Sequence, residues 1–146
     1  LFQDLLNRLL SPAKVTLADE DARLALCALL VRVARSDHNY SEEEKDRIDR
    51  INQSRYGLDM GGAILLREEA EAMEAEAPDT VRFTRAIKDA VRYEDRTAVI
   101  EALWMVALAD GHRDDSEDTL LRLSSSLLGV NDRDSALARQ RAEAAL

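Results

Sequence analysis

Aromatic residues make up only 4% of this 146-residue chain, too few for a β-sandwich core or for a surface on which bases stack. Glycine and proline are also scarce, at five and two residues, so long irregular or disordered stretches are not expected. The single cysteine, Cys27, excludes a disulfide framework and a cysteine-based metal centre. It lies in the apolar run ALCALLV and reads as a small buried hydrophobe. Positive charge is in deficit, and the net charge of −9 argues against a nucleic-acid partner, since no stretch concentrates the basic residues that phosphates require.

Long hydrophobic runs are missing too. LALCALLVRVA and VIEALWMVALA fall well short of the roughly 20 residues a membrane span needs, and Arg32 and Glu101 interrupt them. A soluble, cytoplasmic protein is therefore expected, with protein partners and at most an indirect membrane association. The chain begins at Leu1 rather than methionine, which leaves room for a preceding anchor or signal segment.

What is present is helical pattern. The length suits one domain over residues 1–146. LFQDLLNRLL has apolar side chains at helical spacing before SPAK breaks it, and reads as a short docking helix. From Asp19 or Asp21 to about Ser36 a helix is apolar on nearly every side, which marks it as central. Ser41 with Glu44 forms a capping box that opens a helix ended by Gly57. The next helix starts near Asp59 and stops before Pro78, and its later, acidic half is expected to face solvent. Asp79 starts another, Asp95 to Ala109 makes a second apolar helix, Asp114 with Glu117 repeats the capping box, Gly129 ends that helix, and Asn131 caps the last. No run alternates with period two, so the fold class is all-α, a bundle of about seven or eight helices.

The pattern repeats within itself. At a shift of 73 residues Asp37 falls on Asp110, Ser41 on Asp114, Glu44 on Glu117 and Ile48 on Leu121, while Gly57 and Gly129 lie one residue closer. Two helix-loop-helix units about a pseudo-twofold axis would bring both acidic loops to one end of the bundle.

Two readings of those acids stand side by side. Glu44 and Glu117 sit at the third position of capping boxes, where a carboxylate satisfies the N-cap amide and favours the helix dipole. Asp37 and Asp110 sit at helix C-termini, where the dipole opposes negative charge by roughly 0.3 to 1 kcal/mol, so something must compensate. Arg35, Arg47 or Arg113 could do so, and so could a divalent cation held by oxygens of Asp37, Asn39, Glu44, Asp110, Asp114 and Glu117. Oxygen ligands favour calcium or magnesium over zinc. The loop is not an EF-hand, because it lacks the glycine at position six and has Ile48 where the glutamate at position twelve would be. His38 and His112 do not occupy equivalent places in the repeat, which weakens a zinc reading. No H-E-x-x-H, di-iron E-x-x-H, G-x-S-x-G or phosphate loop is present. Gly61-Gly62 reads as a place of close helix packing, Ser124 to Ser126 as a solvated face, and Trp104 and Met105 as core.

A109-D-G-H-R-D-D-S-E117, with its weaker first copy S36-D-H-N-Y-S-E-E-E44, resembles the A-D-G-x-x-x-x-x-E loop of the TerB-like family of tellurite-resistance and stress-response operons. The resemblance covers roughly residues 24–130. It implies an all-helical fold with internal pseudo-symmetry, no enzymatic activity, and a metal site whose candidates here are Asp37, Glu44, Asp110 and Glu117. His38 stands where the loop glycine would be. The expected function is thus a non-enzymatic, bacterial stress-response domain with an acidic cation site. The alternatives are a protein-interaction module whose acids only cap helices and, less favoured, a metal-dependent hydrolase.

Overall fold

The computed structural model describes the backbone of residues 19–36, 38–76, 84, 88, 91–108 and 115–145, and the side chains of these apart from 19–22, 94 and 115–117. Among the described residues there are six helices and no strand: α1 (Asp19–Arg35), α2 (Glu42–Tyr56), α3 (Met60–Glu76), α4 (Tyr93–Ala107), α5 (Asp115–Leu127) and α6 (Asp132–Ala144). The all-α class holds. Thr84 and Lys88 are also helical, whereas the helix expected over the first ten residues lies outside the described residues.

Two largely apolar helices run through the middle. α1 packs against α2, α3, α4 and α5, and α4 packs against α1, α2, α5 and α6. In α1 every residue from Ala25 to Ala34 except Arg32 is buried, and Leu29 is fully so. A leucine in that position contributes about 1.5–3 kcal/mol. Val99, Ile100, Leu103 and Val106 do the same for α4. Cys27 joins this core and accepts a hydrogen bond from Asn52 Nδ2 at 3.2 Å. Burial pushes its thiol up to about 12, although the Asn52 bond works the other way.

The helix ends follow their local sequence. Gly57 (φ +65°) and Gly129 (φ +72°) take the left-handed conformation that closes α2 and α5. Asn131 caps α6 by accepting from Asp134 N at 2.8 Å. Asp59 caps α3 by accepting from Gly62 N at 2.7 Å. The space beside Gly62 is taken by Asp59 Oδ1 and Leu58, so Gly61-Gly62 serves this cap and not a helix contact.

Two further expectations are corrected. Glu71 and Glu74, in the acidic half of α3, are largely buried: Arg67 Nη1 reaches Glu71 at 3.1 Å, while Arg32 and Arg35 of α1 lie 3.7 and 3.6 Å from Glu74. Those two arginines also donate to the α3 carbonyls of Glu74 and Glu71. Ser124 and Ser125 are buried as well, and Ser135 Oγ of α6 meets Ser125 Oγ at 3.1 Å.

Candidate cation site at the turn between α1 and α2

The turn after α1 is built from backbone bonds. Ser36 Oγ and Ser36 N both donate to Val33 O, and His38 N donates to Arg35 O at 3.0 Å. His38 has φ +63° and is the one non-glycine residue with positive φ among the described residues. That is the backbone state glycine adopts most readily, at the position where the second copy carries Gly111. The sequence difference between the two loops is therefore not a difference in what the first loop's backbone must do.

Ser41 then caps α2 from an extended conformation. Its Oγ accepts from Glu44 N at 3.2 Å, and its own N donates to Glu44 Oε1 at 3.0 Å, completing the capping box. Ser41 Oγ also lies 3.2 Å from Glu44 Oε1. Glu44 is 0% exposed, and its second oxygen, Oε2, is shut away from solvent. The Tyr40 ring lies beneath two cations, Arg35 at 5.2 Å and Lys45 Nζ at 5.0 Å from its centre. Its hydroxyl is buried facing Glu71 and Arg67 without reaching hydrogen-bond geometry, and burial, then Glu71, pushes its pKa up.

Beside the turn lies a polar group that local sequence reading missed. Asp49, 5% exposed, accepts from Arg67 Nε at 2.8 Å, and Arg67 also reaches Glu71. Burial works against the charge of Arg67, but the bonds to Asp49 and Glu71 outweigh it and raise its pKa. Removing one partner from such a buried pair costs roughly 3–5 kcal/mol. Only the Arg67–Glu71 spacing of four hinted at it. Asp49 belongs to another helix, and sequence periodicity says nothing of that pairing.

Of the four predicted metal ligands, Glu44 is placed, at the first turn of α2. Asp37 and Asp110 lie outside the described residues, as does the side chain of Glu117 at the start of α5. Among the described residues, no group of three or more histidine, cysteine, aspartate or glutamate side chains is arranged to hold a metal ion. His38 is exposed.

The family described as tellurite resistance protein TerB matches residues 23–140. The chain belongs to the TerB family. No curated protein and no solved structure was found to match it. The matched span contains both acidic loops of this TerB-family chain, including Asp37, Glu44, Asp110 and Glu117. No described helix of the TerB-family chain is long and apolar enough to cross a membrane.

Proposed function

We propose that this TerB-family chain is a non-catalytic, cytoplasmic domain of the tellurite-resistance and stress-response type that binds a divalent cation between two pseudo-equivalent acidic loops. Calcium or magnesium suits the oxygen donors better than zinc. The observation that carries the reading is the complete burial of Glu44. A capping glutamate works equally well at the surface, so capping does not call for burial. A carboxylate taken out of water costs several kcal/mol unless positive charge or donors compensate it. Oε1 is engaged by Ser41, and the Glu44 carboxylate would join those of Asp37, Asp110 and Glu117 in the oxygen set around the ion.

The pseudo-symmetry has support of its own. α1 packs on α3 as α4 packs on α6, and the second helix of each trio ends in a left-handed glycine. His38 takes at the first turn the conformation that Gly111 is suited to at the second. The complete capping box favours a second reading, a protein-interaction module in which the acids serve only as caps.

Glu44→Gln separates the two, because glutamine fills a capping box as glutamate does but brings no charge. Calorimetric titration of Ca²⁺, Mg²⁺ and Zn²⁺ into metal-stripped protein is expected to show saturable binding. The affinity should fall at least about tenfold in Glu44→Gln and in Asp110→Ala/Glu117→Ala, with helix content kept. No binding up to millimolar ion would leave the acids as caps and sink the cation reading.

A further inference from the structure

A second feature, further along α2, does not depend on the cation. Between α2 and α4 runs an open groove of about 690 Å³. Its floor is apolar, made by Ile51, Ala98, Ala102 and Met105. One wall is α2, which brings Arg47 and Arg50, one turn apart, and Arg55 near its end to the groove. The opposite wall carries Asp95 and Glu101 of α4. Those two acids are already matched, Asp95 by Arg92 at 3.7 Å and Glu101 by Arg141 at 2.9 Å. Arg47 and Arg50 have no such match: among the described residues neither makes an ion pair. In a protein of net charge −9, the groove's uncompensated charge is therefore positive.

We propose that this groove is a docking site for an amphipathic helix of a partner protein, its apolar stripe seated on the Ile51–Ala102–Met105 floor and its acidic flank against Arg47 and Arg50. A cleft between two helices receives the ridge of a third, and small residues such as Ala98 and Ala102 let it approach closely. From Arg47 to Arg55 the wall spans about 12 Å at 1.5 Å per residue, enough for about two turns of partner helix. The charge pattern selects the flank: an acidic one meets unmatched arginines, whereas a basic one meets them with like charge. A nucleic acid or an anionic membrane would meet the same arginines but would be repelled by the rest of an acidic molecule.

The test uses the whole chain and two labelled synthetic helices with leucines at positions i, i+4 and i+7, one flanked by glutamates and its twin by lysines. Fluorescence anisotropy is expected to show saturable binding of the glutamate peptide, and binding of the lysine peptide weaker by at least about tenfold. Arg47→Glu/Arg50→Glu should reverse that preference. Ala98→Trp, an exposed position whose new side chain fills the floor, should weaken the glutamate peptide by a similar factor with the thermal melt unchanged. Equal binding of the two peptides, no binding of either, or full binding retained by both variants would overturn the proposal. So would transfer of the groove to another occupant, seen as binding to anionic vesicles, or as concentration-dependent self-association, that the same variants abolish. Calcium titration of Ala98→Trp, which leaves every charge in place, should match wild type, so failure here and failure of the cation site are told apart.

Discussion

His38 holds a backbone conformation that costs an ordinary L-residue about 1–2 kcal/mol. Glycine would remove that strain and give back about 0.5–1 kcal/mol through its freedom in the unfolded chain. His38→Gly is therefore expected to equal wild type or exceed it by up to about 1 kcal/mol, and the β-branched His38→Val to fall about 1–2 kcal/mol below it. Urea denaturation of the two variants measures this. Equal shifts for glycine and valine would mean that the turn does not hold the left-handed state in solution. The side chain of His38 is exposed, so these effects belong to the backbone and not to lost packing.

At the level of elements, Gly57 and Gly129 end α2 and α5 with similar positive φ but in different surroundings. A Cβ at Gly57 would meet nothing within 4 Å, whereas one at Gly129 would lie 3.1 Å from Lys88 Cε and 3.3 Å from Arg96 Nη1. Lys88 can swing away, but Arg96 is held by its 2.8 Å bond to Leu128 O. Gly57→Ala should cost about 1 kcal/mol, the backbone penalty alone, and Gly129→Ala visibly more, as read from paired denaturation midpoints. Equal losses would show that Arg96 gives way freely. These caps, with Ser41–Glu44, Asp59 and Asn131, could be read directly in the sequence because a cap is settled within four residues. The burial of Glu71, Glu74 and Asp49 could not, because each is met by an arginine, from a different helix for Glu74 and Asp49 and from both α1 and α3 for Glu71. Glu44 shows both cases: its cap was legible at a spacing of three, and its burial was not.

The whole molecule should lose stability on the alkaline side. Burial raises the pKa of Cys27 to about 12 and raises those of Tyr40 and Tyr56 above the ordinary tyrosine value. Each of these groups is neutral when protonated, so the fold binds its proton more tightly than the unfolded chain does. Their contribution is complete below the unfolded values of 9.0 for the cysteine and 10.0 for the tyrosines, and is lost as pH rises from there toward the folded values. Urea midpoints are expected to fall above about pH 9, with the onset moved toward pH 10 in Cys27→Ala. An unchanged onset in that variant would exclude the thiol as a cause. The reach of Arg32 and Arg35 has a mechanical side. Both leave the last turn of α1, just before the acidic turn, and both grip the far end of α3 through carbonyl and carboxylate oxygens. The last turn of α1, from which the His38 turn departs, is thus anchored to the end of α3 by side chains and not by the chain itself.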